Sequence, residues 1–169
     1  NRKDLSLSGK RAVVCGSTDG IGEATAYKLA EQGAEVIIVA RDPKKLDKTI
    51  HDLPTTGNQD HSMVCADFNS PEELEERISK VSSPVHILVN NSGGPPGGDL
   101  IKAKKEEFRL SLERHVICNQ ILAKAFVPSM KELGFGRIIN IISTSVIQVI
   151  PGLGVSNTTR GAVANWART

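Results

Sequence analysis

The chain has 169 residues, of which 39% are hydrophobic and 24% charged, and its formal net charge is +2. This composition predicts one globular domain that is large enough to bury a core. The lysine-rich runs are short and lie beside acids or turn residues, which argues against a nucleic-acid surface. No apolar stretch reaches the length of a membrane span, so no membrane partner is expected.

Strand-like and helical patterns alternate along the chain. The strands are continuous apolar runs, as expected when helices cover both faces of a parallel sheet. This pattern predicts an α/β fold, a doubly wound parallel sheet of the Rossmann type, in one domain over 1–169. The predicted strands are 11–15, 36–40, 62–66, 86–90 and 137–142, and the predicted helices are 21–32, 43–52, 71–81, 104 to about 133, and 156–169.

Two helix ends carry further signals. Ser70 precedes Pro71 and two acids, which predicts a capping residue at the start of the third helix. The last helical pattern runs to Thr169 without a capping residue. We therefore expect a domain that is incomplete at its C-terminus.

Three cysteines, Cys15, Cys65 and Cys118, are widely separated, and no pair has Cys-x-x-Cys spacing. Cys15 and Cys65 lie in apolar strand-like runs, where cysteine usually acts as a small core residue. The four histidines have no ligand spacing either. We expect free thiols, no metal site and a reducing cytoplasmic location.

A glycine-rich turn, Gly16-Ser17-Thr18-Asp19-Gly20-Ile21-Gly22, joins the first strand to the first helix. Gly16 lets the chain turn, Gly20 removes a side chain where a pyrophosphate would approach, and Gly22 allows close helix packing. The following helix would present free N–H groups to phosphates. The alternative is a tight connection without a ligand, but a turn between a strand and a helix favours nucleotide binding.

Several motifs coincide in chain order. They are the glycine turn, Asp67 after the third strand, Asn90-Asn91-Ser92-Gly93 after the fourth, the segment from Gly136 to Ser143, and the helix from Ser156. Together they resemble the short-chain dehydrogenase/reductase family, near its 3-oxoacyl-carrier-protein reductase branch. The resemblance covers essentially the whole chain. Family members continue beyond this point with a strand, a substrate lid, a helix and a last strand.

The resemblance implies a nicotinamide cofactor. Asp67, with Phe68 beside it, would meet the adenine, although Asp67 taken alone is an ordinary turn residue. The groove would be lined by Asn90, Ser92 and Gly93, and the pyrophosphate and its ribose would be held by Gly16, Ser17, Thr18, Gly20, Ile21 and Gly22.

Arg41 ends the second strand, where NAD sites tend to carry an acid for the ribose 2′-hydroxyl. A guanidinium offers a fork of donors to a 2′-phosphate instead. An exposed loop arginine without a ligand is the alternative. The absence of an acid and the presence of a base predict NADP in preference to NAD.

The family's catalytic pattern is a serine, a tyrosine thirteen residues later, a lysine four residues beyond it, and an asparagine on the preceding long helix. Ser143 matches the serine. The other three positions hold Ser156, Arg160 and His115. The segment 155–163 is similar to a subgroup of the family in which Ser-Asn-x-x-Arg replaces the tyrosine and lysine.

These replacements change the chemistry that is expected. A serine hydroxyl is a much weaker acid than a phenol, whose pKa is about 10. Arg160 keeps a positive charge for ribose hydroxyls but does not release a proton. His115 titrates near neutral pH and would supply the proton directly or through water. The alternative, which we favour for His115, is a histidine packed on a helix face.

Three functions follow from these residues. The first is an NADP-dependent oxidoreductase that reduces a small carbonyl such as a 3-oxoacyl thioester. The second is a non-catalytic nucleotide-binding sensor, and the third is a structural subunit of an oligomer. In the family, the helix at 104–133 and the helix from Ser156 commonly form oligomer interfaces, which implies a homodimer or homotetramer.

Overall fold

The computed structural model describes residues 6–82 and 84–169. It contains one parallel five-stranded sheet, and the strand order runs third, second, first, fourth, fifth. This order confirms the predicted doubly wound, Rossmann-type sheet. The strands are β1 (Arg11–Cys15), β2 (Glu35–Ala40), β3 (Ser62–Cys65), β4 (Ile87–Asn90) and β5 (Arg137–Asn140).

The helices connect these strands and cover the sheet. Glu113–Ile117 forms a π-helical segment inside the long helix that the sequence predicts as uninterrupted. Ser70 precedes the third helix as predicted, but its side chain makes no capping hydrogen bond. The helices are α1 (Gly20–Glu31), α2 (Pro43–Asp52), α3 (Pro71–Ile78), α4 (Lys105–Leu112), α5 (Cys118–Glu132) and α6 (Gly154–Arg168), with short 3-10 turns at Leu100–Lys102 and Thr144–Val146.

The core lies on both faces of the central strands. Successive residues of β1 point to opposite faces, because side chains alternate along a strand. Val14 packs into a cluster with Ala26 of α1, whereas Val13 packs into a second cluster with Leu122 and Phe126 of α5. The central strands are therefore buried on both sides, as the continuous apolar runs predict.

The two edge strands differ from this prediction. Met63 and Cys65 of β3 and Ile138 and Ile139 of β5 are exposed. Each edge strand has a neighbour on one side only, and helices cover it incompletely. The prediction that Cys65 lies in the core is therefore wrong, although Cys15 is buried in it.

The strand order creates a crevice at one edge of the sheet. Beyond β1 the chain builds β2 and β3 on one side and then crosses to build β4 and β5 on the other. The loops that follow β1 and β4 therefore diverge at the carboxyl ends of these strands. In open α/β sheets, ligands bind at this switch point.

Candidate functional site

A cleft of about 530 Å³ occupies the switch point. Its walls are the turns that follow β1, β2, β3 and β4, together with one residue of the π-helical segment. Three of the predicted cofactor residues, Ser17, Gly22 and Asn90, are not among its lining residues. The predicted residues that do line it are Gly16, Thr18, Gly20, Ile21, Arg41, Asp67, Phe68, Ser92 and Gly93.

The turn after β1 needs glycine at three positions for different reasons. Gly16 and Gly20 have φ values of 58° and 52°, in the left-handed region that glycine favours. A Cβ on Gly16 would lie 2.7 Å from Asn91 Nδ2, whereas one on Gly20 would point into open space. A Cβ on Gly22 would lie 1.9 Å from the carbonyl oxygen of Gly16. The turn thus exposes backbone to the cleft at Gly20 and packs tightly behind it.

We expect Gly22→Ala to destabilise the fold by about 3 kcal/mol, because the added methyl group overlaps backbone that cannot easily move. Gly161→Ala on α6 is the matched control, since a Cβ there meets no atom within 4 Å. The free energy of unfolding of the control should rise by about 0.5–1 kcal/mol, because alanine has a higher helix propensity than glycine. Urea unfolding of the two variants measures both effects, and equal stabilities would contradict the packing at Gly22.

Asn91 is a site residue that the sequence reasoning missed. Its Nδ2 donates to the carbonyl oxygens of Cys15 at 3.2 Å and Gly16 at 3.3 Å. Asn90 instead is buried and donates to Asn140 Oδ1 at 2.8 Å. Consecutive side chains of an extended strand end face opposite ways, so only one of two adjacent asparagines reaches the cleft.

Ser17 and Gly22 support the turn from beneath. Ser17 is fully buried, and its Oγ donates to the carbonyl oxygen of Val39 at 3.3 Å. This bond ties the end of β1 to the end of β2. Ser17 therefore shapes the turn rather than lining the cleft.

Two cations stand on the rim beyond β2. Arg41 is exposed, and Lys45 lies one turn further along, with its Nζ 3.7 Å from Asp19 Oδ2. Asp42 Oδ1 accepts hydrogen bonds from the backbone N–H groups of Lys44 and Lys45, so this carboxylate caps α2. The rim therefore carries Arg41 and the Asp19-paired Lys45, while Asp42, the acid that follows β2, is committed to the helix cap.

Three of the four predicted catalytic residues, Ser143, Ser156 and Arg160, lie in the chain beyond β5. Ser143 Oγ accepts a hydrogen bond from Ser145 N at 3.1 Å and caps the 3-10 turn there. Ser156 and Arg160 lie one turn apart on α6, which places them on the same helix face. Arg160 Nη1 donates to the carbonyl oxygen of Ile141 at 3.0 Å, which joins α6 to the end of β5.

His115 is buried, at 2% exposure, and its Nδ1 is hydrogen-bonded to Ser92 Oγ at 2.8 Å. Its Nε2 has no partner within the described part of the chain. Burial, followed by the charges of Arg160 and Arg114, lowers the pKa of His115 to about 3. The imidazole is therefore neutral at neutral pH, and it connects the interior to a residue that lines the cleft.

The lowered pKa of His115 gives a testable pH dependence. The unfolded chain, with an ordinary value of 6.5, binds more protons than the folded chain between about pH 3 and 6.5. The contribution of His115 to the free energy of unfolding should therefore be fully present above pH 6.5. It should be lost as the pH falls, by about 1.4 kcal/mol for each unit by which the folded and unfolded pKa values differ. Urea unfolding from pH 4 to 8 should show this slope in the parent and a reduced slope in His115→Asn. An unchanged slope would contradict the burial of a neutral imidazole, and His51→Asn, at an exposed site, is the control.

A second cavity of about 430 Å³ lies beside the start of α6. Leu100 and Ile150 give it apolar walls, and Ser145 and Asn157 give it polar ones. Asn157 Nδ2 donates to the carbonyl oxygen of Ile150 at 2.8 Å. Among the residues that the structure describes, Asn157 Oδ1 and Ser145 Oγ have no hydrogen-bond partner. Ser145 stands two residues after the predicted catalytic serine, Ser143, which does not itself line this cavity.

Other kinds of site find no support in the described residues. Within 6–82 and 84–169, no three His, Cys, Asp or Glu side chains are grouped to hold a metal ion. No helix in the same ranges is both long and apolar enough to cross a lipid bilayer.

The switch-point cleft and its glycine turn define a Rossmann-type α/β protein of the kind that holds dinucleotides. The sequence profile of the short chain dehydrogenases matches residues 10–169. The chain therefore belongs to the short chain dehydrogenase family.

Relatives agree with this assignment. The chain is 32% identical over 160 residues to Dehydrogenase/reductase SDR family member 4 of Rattus norvegicus, covering 93% of this chain and 57% of that protein. It is 30% identical to L-sorbose reductase from Gluconobacter frateurii complexed with NADPH and L-sorbose, with a TM-score of 0.89, covering 98% of this chain and 64% of that one. It is also 30% identical to an alcohol dehydrogenase from the archaeon Thermococcus sibiricus complexed with 5-hydroxy-NADP, with a TM-score of 0.86 and coverage of 94% and 68%. The chain thus spans less than two thirds of the length of the first two.

Proposed function

We propose that the protein is an NADP-dependent oxidoreductase that reduces the carbonyl group of a small molecule, such as a 3-oxoacyl thioester. The observation that carries this proposal is the cleft at the switch point, with exposed glycine backbone on its floor and Arg41 and Lys45 on its rim. Membership of the short chain dehydrogenase family supports the oxidoreductase class.

The residues of the cleft fit a dinucleotide. The open space at Gly20 and the N-terminus of α1 would receive the pyrophosphate, with Gly16, Thr18 and Ile21 beside it. Asp67 and Phe68 would meet the adenine, and Ser92 and Gly93 would line the groove. Ser17, Gly22 and Asn90 would act from behind the cleft wall.

A 2′-phosphate suits the rim better than a bare hydroxyl does. Arg41 and Lys45 supply two cations there, and Asp42 is occupied in capping α2. The related L-sorbose reductase and alcohol dehydrogenase structures hold NADPH and 5-hydroxy-NADP, respectively. Both observations support NADP in preference to NAD.

The cofactor would supply hydride, and this chain's residues would position the carbonyl group and its proton source. We place Ser143 against the carbonyl oxygen, because it matches the family's serine and stands two residues before Ser145, which lines the second cavity. Ser156 and Arg160 occupy the positions of the family's tyrosine and lysine. Because His115 is neutral, we assign the proton to water rather than to an imidazolium, and we expect slow turnover.

A second candidate is a nucleotide-binding sensor or structural subunit that does not turn over. It is favoured by the bond of Arg160 to the Ile141 carbonyl and by the neutral, enclosed His115. Exposed Leu110 and Ile117 along α4 and the π-helical segment support a homodimer or homotetramer for either candidate. The free thiols support a reducing, cytoplasmic location.

The test is to mix the protein with NADPH and an acetoacetyl thioester, or L-sorbose, and follow the absorbance of the reduced nicotinamide. Turnover that falls in Ser143→Ala but not in Ser62→Ala, at an exposed position of β3, would support the reductase. Binding of NADPH without turnover would favour the second candidate.

A further inference from the structure

Arg114 enters the cleft from an irregular turn of the long helix. It lies in the π-helical segment between α4 and α5, and its side chain lines the cleft. A π-helical turn inserts an extra residue into the helix and re-aims the side chains around it, and such turns are frequent at functional sites. Here the turn directs Arg114 into the cleft and buries the adjacent His115.

The guanidinium group of Arg114 joins two turns that the sheet keeps apart. Its Nε donates to Asn69 Oδ1 at 3.1 Å, Nη2 donates to the same oxygen, and Nη1 donates to the carbonyl oxygen of Gly93 at 3.1 Å. Asn69 follows β3 and Gly93 follows β4, and in the sheet these strands are separated by β2 and β1. Arg114 is therefore a direct bridge across the switch point.

The far end of the bridge is itself held in place. Asn69 N donates to Asp67 Oδ1 at 3.0 Å, and Asn69 Nδ2 donates to Asp67 Oδ2 at 3.4 Å. The bridge thus extends from Asp67 through Asn69 and Arg114 to Gly93. Asp67 and Gly93 are both cleft residues that the proposed function assigns to the cofactor.

The direct partners of the Arg114 guanidinium group are neutral oxygens, and the Asp67 carboxylate joins this network only through Asn69. Among residues 6–82 and 84–169, no carboxylate forms an ion pair with Arg114, whereas Lys45 is paired with Asp19. A guanidinium group has five N–H donors, so it can bond neutral carbonyl and amide oxygens and still donate to another group. Because it stays positively charged, it can also attract an anionic ligand. Arg114 can therefore fix the two walls and favour a phosphorylated ligand between them.

We propose that Arg114 is a positioning residue for the cofactor, whose guanidinium group bridges the Asn69 and Gly93 turns and holds the cleft at the width of the adenosine half. This inference rests on the proposed function. Because the bridge lies between the walls and not on the Arg41 rim, it acts on NADPH and NADH alike. It thus differs from a 2′-phosphate contact in a measurable way.

The test measures the dissociation constants of NADPH and NADH for Arg114→Met, Asn69→Ala and the double variant. Each single variant should raise the dissociation constants of both cofactors about tenfold, because a charge-assisted hydrogen-bond network is lost. The double variant should bind no more weakly than either single one, since both changes break the same bridge. Arg114→Lys should bind both cofactors little better than Arg114→Met, because an ammonium group lacks the planar, forked donors of a guanidinium group.

Arg109→Met on α4 is the matched control, since Arg109 is exposed and does not line the cleft. The proposed bridge would be overturned by a loss of affinity for NADPH alone, by losses of affinity that add in the double variant, or by unchanged binding of both cofactors. If Arg114→Met fails to fold, Asn69→Ala tests the same bridge from its other end, and unchanged binding there overturns it. A parent protein that binds neither cofactor would overturn the proposed function, and the cofactor role of Arg114 with it.

Discussion

Arg41→Ala is expected to weaken NADPH binding about 10- to 100-fold and to leave NADH binding nearly unchanged. The side chain is exposed at the end of β2, where a ribose 2′-phosphate would reach the rim of the cleft. Charge-assisted bonds from a guanidinium group to a phosphate are among the stronger polar contacts. Fluorescence titration of the bound nicotinamide measures both dissociation constants.

Lys44→Ala is the control for Arg41→Ala, because Lys44 is an exposed neighbour that does not line the cleft. The preference for NADPH in the parent should also fall as salt is added, since the rim is open to solvent. Equal weakening of both cofactors in Arg41→Ala would contradict a 2′-phosphate contact. So would unchanged binding of NADPH.

The second large effect is a gain of activity. Ser156→Tyr combined with Arg160→Lys should raise kcat for carbonyl reduction about 10²- to 10⁴-fold, the usual contribution of a general acid. A phenol beside an ammonium group can release a proton near neutral pH, whereas a serine hydroxyl cannot. Steady-state kinetics with NADPH and an acetoacetyl thioester measures this change.

Asn165→Tyr, an exposed position on the same helix, controls for the addition of a phenol alone. The cofactor affinity of the double variant should be measured beside its rate, because Arg160 bonds the Ile141 carbonyl and its loss can disturb the wall. A double variant that binds NADPH at parental affinity and shows no gain would contradict the placement of Ser156 and Arg160 at the reacting centre.

The fold could be predicted from the sequence where burial is complete. Val13 and Val14 pack into different clusters on opposite faces of the sheet. An uninterrupted apolar run in β1 therefore indicates that helices cover both faces of this strand. The same inference failed for Cys65, because a run of apolar residues does not reveal whether its strand lies at an edge. Edge position depends on the strand order, and that order depends on contacts between distant parts of the chain.

The position of the glycine turn and of Arg41 at the cleft could be predicted from the sequence, because each directly follows a strand of the sheet. Asn91 and Arg114 could not. The choice between Asn90 and Asn91 depends on how β4 is rotated in the sheet, and the sequence pattern at 104–133 gives no sign of the π-helical turn that aims Arg114. The depressed pKa of His115 likewise depends on burial and on Arg160, which is distant in sequence.

The most direct test of the account is a titration of the unaltered protein with NADPH and, separately, with NADH. We expect saturable binding of both cofactors, with NADPH the tighter ligand because Arg41 and Lys45 stand on the rim. Absence of saturable binding by either cofactor would contradict the assignment of the cleft as a dinucleotide site. Tighter binding of NADH would contradict the NADP preference.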